Sequence, residues 1–204
     1  MIPAPLILAS GSEARARLLR AAGLSVETVP PRVDEDGLRA ALLAEGAGPR
    51  DLADALAEAK ARKVAGRLAA ERPGAIVIGG DQVLELDGET FVKPESPEAA
   101  LDQIGRLAGR THRLLSAAVA YRAGEPVWRH VGTATMTMRR PSGDWLERYV
   151  ARNWEGIRHS VGGYLIEAEG VRLFSDLRGD PFTIQGFPLI PFLNWLAAAG
   201  HIDG

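Results

Sequence analysis

The sequence predicts a single α/β domain, residues 1–204, built on a mixed, strongly twisted sheet. Three observations lead there. Ile76-Val77-Ile78 is a short, fully apolar β-branched run bounded by glycine, the mark of a buried strand. Segments of helical period alternate with such strands along the whole chain. No repeat, low-complexity stretch or linker divides it.

The elements follow in order. Leu6–Ala9 reads as the first strand, and residues 12–22 as a helix stopped by Gly23. Val26–Val29 is a second strand. Residues 30–37, PPRVDEDG, read as a loop and 38–46 as a short helix. Pro49 and Asp51 open a long helix over 51–71, closed by Pro73-Gly74. Ile76–Ile78 then runs to a strand end at Gly79-Gly80. Two alternating runs follow, joined by Asp87-Gly88, the strongest short-range sign of a hairpin with a type I′ turn. Ser96-Pro97-Glu98 opens a helix that ends at Gly109. Strands over 111–121 and 127–138 are separated by Ala123-Gly124-Glu125-Pro126. Ser142 caps a helix to about Arg152, residues 163–178 alternate like a hairpin turning near Glu169-Gly170, and a helix over 189–199 stops at Gly200.

Composition narrows the classes. Hydrophobic residues make up 46% and charged residues 25%, a globular balance. A net charge of −2 argues against sequence-independent nucleic-acid binding, while leaving room for a local basic pocket. The chain has no cysteine, which excludes disulfides, thiolate nucleophiles and cysteine metal sites. MIPAPLILAS lacks a basic leader region, and no run is long enough to span a membrane. A soluble, cytoplasmic protein is the expectation.

The chemistry gathers at three places. In the hairpin, a two-residue loop pairs Leu86 with Glu89, and counting outwards sets Gln82 opposite Lys93, with Asp81 diagonal to Lys93. A carboxylate, an amide and an ammonium thus surround one glycine-lined strand end, where open α/β sheets bind ligands. In the turn ASGSEAR, free N–H groups at a helix start, the Ser10 and Ser12 hydroxyls and Arg15 make an anion site. The same residues also read as a cap, with Ser10-x-x-Glu13 a capping box or Ser12 capping alone. In the long helix, Leu52, Leu56, Val64 and Leu68 form an apolar stripe with Lys60 at its centre, so that lysine either snorkels out or meets an anion. The acidic run Asp34-Glu35-Asp36 is either a solvated loop or a source of oxygen ligands for Mg²⁺. His112 reads as a structural histidine on a strand edge, and the other histidines lack metal-ligand spacing.

LILASGSEARARLL resembles the opening signature of the Maf family, septum formation inhibitor-like nucleoside triphosphate pyrophosphatases. The resemblance continues through Val33-Asp34-Glu35, LAEAKARKV, IGGDQVLELDG with VKP, AGRTH, YVARN, VGGY and GDPFTIQGFPL, colinear from residue 6 to about 196. It implies a Maf/ITPase-like α/β fold with a deep cleft between two lobes and a homodimer. It also implies cleavage of a nucleoside triphosphate to monophosphate and pyrophosphate with Mg²⁺ or Mn²⁺, another divalent metal being open. Carried over by position, Asp81 is the catalytic carboxylate that activates a water, as base or through the metal, and Glu35 is an acidic position near that metal. Ser10, Arg15, Lys60 and Lys93 bind the triphosphate, and Ser12 belongs to the same turn.

Ala14, Gln82 and Glu167 fall where the family sets substrate specificity. Gln82 and Glu167 resemble the branch that prefers 7-methyl-GTP, while the dTTP/UTP branch tends to carry threonine and glutamine there. Ala14 lacks the aromatic wall of the first branch. Glu13 stands where proline is usual, Val92 precedes Lys93 in place of glycine, and Ser160-Val161-Gly162 replaces a lysine-alanine-glycine. The rival readings are a dTTP/UTP pyrophosphatase, a phosphatase releasing orthophosphate stepwise, and a nucleotide-binding regulator of septum formation without turnover.

Overall fold

The computed structural model describes residues 4–203; the ends of the 1–204 domain, residues 1–3 and 204, lie outside the described residues. The chain runs β1 (Leu6–Ala9), α1 (Glu13–Ala21), β2 (Val26–Thr28), α2 (Glu35–Ala44), α3 (Pro49–Leu68), β3 (Ile76–Leu86), β4 (Glu89–Phe91), α4 (Pro97–Leu107), β5 (Thr111–Arg122), β6 (Glu125–Met138), α5 (Gly143–Ile157), a 3-10 turn (Glu169–Leu173), β7 (Phe174–Arg178), α6 (Pro181–Ile184) and α7 (Leu189–Ala198). One mixed sheet has the order β2-β1-β3-β5-β6-β7, with β4 added to β3. β1 is parallel to β2 and β3, and the remaining pairs are antiparallel.

β3 organises the molecule. One edge pairs continuously with β5 from Ile76↔Arg122 to Glu85↔Arg113. The other edge pairs with β1 only as far as Ala9↔Gly79, and with β4 only from Leu84↔Phe91 onward. Between these two partners the edge of Gly80–Val83 is open, and the sheet parts there. A core of Leu84, Ile104, Met136, Tyr149 and Tyr164 lies on the β4 side. On the β1 side two cores cover opposite sheet faces. Ile7, Val77 and Val83 pack on Leu56 and Val64 of α3, and Leu8, Ile78 and Ala118 pack on Leu19 of α1 and Phe192 of α7. The expected cleft between two lobes corresponds to this gap.

Several local expectations need correction. Gly79-Gly80 is not a strand end but the interior of β3. A Cβ at Gly79 would lie 2.1 Å from the Ala57 carbonyl oxygen and 2.6 Å from the Ala61 nitrogen, so this glycine lets α3 press onto the sheet. A Cβ at Gly80 would lie 3.2 Å from Arg15 Cδ. The glycines are packing devices here, not punctuation. The hairpin register is as expected at Leu86↔Glu89, and Asp87 (φ 51°) and Gly88 (φ 88°) have the positive φ of a type I′ turn. The ladder stops at Leu84↔Phe91, however, so Gln82 and Lys93 are not paired.

The acidic run is not a loop: Asp34 accepts a hydrogen bond from the Gly37 N–H at 3.0 Å, and Glu35 and Asp36 form the first turn of α2. Acidic residues suit that end of a helix dipole. Residues 163–178 are no hairpin. The open edge of β6 takes β7 through Thr135↔Arg178 and Met138↔Phe174, while Glu169–Leu173 coils. Gly170 has no room for a side chain, since a Cβ would lie 2.6 Å from the Leu165 carbonyl oxygen. An isolated hairpin is marginal, and joining a larger sheet satisfies the same backbone groups. β5 and β6 are joined by Ala123-Gly124 alone, α5 runs on to Ile157, and β5 is an inner strand, so His112 is not at a sheet edge.

Candidate active site

The open stretch of β3 collects the charges that the sequence singles out. Side chains alternate across a strand, so Gly79 and Asp81 face α3, while Gly80 and Gln82 face α1 and α6. Because Gly79 lets α3 approach, Lys60 comes within reach of Asp81. Lys60 is only 5% exposed, and its Nζ lies 2.7 Å from Asp81 Oδ1 and 2.6 Å from Glu35 Oε2. The lysine in the apolar stripe therefore meets anions, and they are the protein's own carboxylates. Asp81 is 6% exposed, and among the described residues its buried Oδ2 has no hydrogen-bond partner. An unsatisfied buried carboxylate oxygen costs roughly 1–3 kcal/mol or more, so its retention points to function.

The turn after β1 supplies the other wall. Ser12 caps α1, its Oγ accepting from the Arg15 N–H at 3.4 Å. The capping box of Ser10 with Glu13 does not form: Glu13 pairs with Arg20 on the surface. Ser10 is buried, and its Oγ accepts from the Ser12 N–H at 3.1 Å and from Arg15 Nη1 at 3.4 Å. Arg15 Nε donates to the Gly186 carbonyl at 2.8 Å, so its stem crosses Gly80 into the gap. Burial lowers the Arg15 pKa, with Asp81 and Glu35 pulling it back up.

Lys93 lies beyond the end of β4, anchored by its neighbours. The Val92 carbonyl accepts from Gln103 Nε2 at 2.9 Å, and Gln103 Oε1 accepts from the Gly162 N–H. Its ammonium is pushed down first by desolvation and then by Arg15 and Lys60, with Glu35 and Asp81 opposing. Lys93 thus shares the field of the cluster although it lies outside the hairpin ladder. Three cations (Arg15, Lys60, Lys93) and two carboxylates (Glu35, Asp81) converge, leaving one net positive charge to receive an anion.

Of the specificity candidates, Gln82 follows Asp81 on β3 but faces α6. Gln82 Nε2 donates to Ser116 Oγ at 3.0 Å and to the carbonyls of Thr183 and Ile184 at 3.2 and 3.0 Å. Its amide therefore ties α6 to the sheet. Glu167 reaches α1 through Arg17, Oε1 to Nη2 2.8 Å. Ala14 is half-buried on the first turn of that helix, between the directions of Arg15 and Arg17.

Residues not anticipated are Ser116, Thr183, Asp180 and Gly186. Ser116 donates to the Thr183 carbonyl at 2.7 Å, and Asp180 caps α6 by accepting from the N–H groups of Phe182 and Thr183. The available signal was Asp180-Pro181, an N-cap followed by proline in the first turn. His112 is buried away from the cluster, with Nε2 2.7 Å from the Tyr164 hydroxyl, and serves the core.

A small divalent cation would find its protein oxygens in Asp81 and Glu35, both of which Lys60 also engages. Mg²⁺ takes oxygen ligands, keeps several waters and leans on substrate phosphates, so one or two carboxylates suffice. Asp81 Oδ2 is such an uncommitted oxygen. Among the described residues no group of three or more His, Asp or Glu side chains forms a complete protein cage.

Comparison with known proteins places the chain in a family. A family model described as "Maf-like protein" matches residues 5–199. A nucleoside triphosphate pyrophosphatase of Ruegeria pomeroyi is 55% identical over 98% of this chain and 98% of its own length. A 7-methyl-GTP pyrophosphatase of Mesorhizobium japonicum is 49% identical, again over 98% of each. Among solved structures, a dITP/XTP pyrophosphatase of Mycobacterium abscessus aligns over 96% of this chain and 93% of its own at 17% identity, with a TM-score of 0.39. With the match covering nearly its whole length, the chain belongs to the Maf-like protein family.

Proposed function

We propose that this protein hydrolyses nucleoside triphosphates to the monophosphate and pyrophosphate with the help of Mg²⁺ or Mn²⁺. The observation that carries the reading is the buried, unpartnered Asp81 Oδ2 beside a convergence of Arg15, Lys60 and Lys93. The near-full-length relatives named as nucleoside triphosphate pyrophosphatases support it.

The triphosphate enters the gap in the sheet with its β- and γ-phosphates toward the three cations. Lys60 trades its protein carboxylates for phosphate oxygens, and the Ser10 and Ser12 hydroxyls donate at the start of α1. Asp81 accepts a proton from a water through one carboxylate oxygen as that water's oxygen bonds to the α-phosphorus. The bond from the α-phosphorus to the bridging oxygen breaks, and pyrophosphate leaves with the electron pair. Arg15, Lys60 and Lys93 stabilise the charge that gathers on it. A divalent cation held by Asp81 and Glu35 would supply Lewis-acid polarisation of the phosphates.

Gln82, Ala14 and Glu167 border the nucleoside end. Glu167 can accept from the N1–H and N2–H₂ edge of guanine, and the Mesorhizobium relative's name supports 7-methyl-GTP as a substrate. Ala14 offers no stacking wall, which favours a broad range around it.

A nucleotide panel scored for metal-dependent pyrophosphate tests this, with Asp81→Asn as control. We expect pyrophosphate rather than orthophosphate, and a loss of about 10²-fold or more in Asp81→Asn. No pyrophosphate with any nucleotide, or an undiminished Asp81→Asn rate, overturns it.

A further inference from the structure

Arg17 projects from α1 to Glu167, 150 positions away in sequence, and closes an ion pair of 2.8 Å. Among the described residues its guanidinium makes no other hydrogen bond, and Glu167 makes none beyond this one. One lone pair of Oε1 is therefore committed, and Oε2 is left. On a helical wheel Arg17 lies about 60° from Ala14 and about 160° from Arg15. The first turns of α1 thus aim Arg15 at the phosphate cluster and Arg17 at Glu167, with Ala14 between them.

Resting on the reading that Glu167 faces the nucleobase, we propose that Arg17 is a specificity-determining residue. By holding Oε1 and drawing on the carboxylate's charge, it weakens Glu167 as a two-point acceptor. A guanine edge offers two adjacent donors, N1–H and N2–H₂, and needs both oxygens. A uracil edge offers a single N3–H, and one oxygen serves it equally well. The clamp therefore levels bases that an unpaired Glu167 would separate. It disfavours 7-methylguanine most, because that base carries a positive charge and competes with Arg17 for the same carboxylate. Ala14 and Arg17 act in one direction: the first removes a wall, the second removes a contact, and both widen the substrate range.

The test is a set of four proteins: wild type, Arg17→Met, Glu167→Gln and the double variant. Affinities for 7-methyl-GMP and UMP are read by calorimetry, so the result does not depend on turnover. Freeing a charged acceptor for a second donor should raise the preference for 7-methyl-GMP over UMP by about tenfold in Arg17→Met. That rise should vanish when Glu167 is already glutamine. The Arg17–Glu167 pair is exposed at Arg17, so the melting temperature should scarcely move. A ratio shifted by Glu167→Gln but not by Arg17→Met overturns the role of Arg17 alone. A ratio that Glu167→Gln leaves unchanged overturns the base-facing reading and this inference together. An equal shift with and without Glu167 shows Arg17 acting on the base directly and refutes the clamp. Absence of pyrophosphate in the panel would overturn the hydrolytic reading, while these affinities still decide on Arg17.

Discussion

Lys60→Met keeps the length and apolar stem of the side chain and removes only its charge, which isolates the ammonium's part in folding. Its two partners are not equivalent. The Asp81 side chain is 9% exposed and the Glu35 side chain 44% exposed. Glu35 can turn to water, so its share is that of a surface pair, about 0–1 kcal/mol. Asp81 cannot, and with Oδ2 already unpartnered it loses the ion pair that compensates its buried charge. Breaking one partner of a buried pair costs about 3–5 kcal/mol, so we expect a loss of about 3 kcal/mol and a fall of about 6–12 °C in Tm for a domain of this size.

Asp81→Asn in the Lys60→Met background neutralises the stranded group and should restore most of that loss. Urea denaturation and calorimetry of the four proteins measure the coupling. A Lys60→Met variant that melts within about 2 °C of wild type, or that gains nothing from Asp81→Asn, would refute the idea that this lysine neutralises a buried carboxylate.

Two further outcomes are expected. Burial, against a smaller opposing pull from Glu85, pushes His112 down to about 4 from its ordinary 6.5. The unfolded chain therefore binds a proton that the fold does not, so stability is complete above the ordinary value and falls as pH drops toward 4, by about 3 kcal/mol in all. His112→Gln should flatten that slope in urea titrations at several pH values, and parallel slopes would exclude His112 as the cause. Gly79→Ala places a methyl against the Ala57 carbonyl and should cost about 1–3 kcal/mol while moving α3, so both Tm and kcat should drop. A fall in Tm with kcat intact would separate the packing of α3 from the Lys60–Asp81 geometry.

Where the sequence was legible, the cause was local. Lys60 stood out because an ammonium contradicts its apolar stripe, and a contradiction of that kind requires a partner. The Asp87-Gly88 turn is legible because only a few residue types tolerate its positive φ, and Leu86↔Glu89 follows from the loop length. Ser12, Ser96 and the glycines after α1 and α4 mark helix ends by the same kind of local rule. Gly79-Gly80 misled for a related reason: glycine usually breaks a strand, and nothing nearby in sequence reveals the helix that needs its missing side chain. Residues 163–178 carry an alternating pattern, but pattern alone does not say whether a strand pairs with its neighbour or with a distant open edge.

By itself, then, the sequence determined the α/β class, most helix and strand positions, and candidates among the charged groups, because period, capping and turn chemistry act over a few residues. The tertiary structure decided what those charges touch. Only there does Glu35 join Lys60 from α2, Arg17 engage Glu167, and the Gln82 amide spend itself on carbonyls of α6. The gap along Gly80–Val83 exists only because β1 stops and β4 begins at different points of one strand. These contacts join segments far apart in the chain, and their geometry follows from how the sheet and helices pack, which no short window of residues encodes.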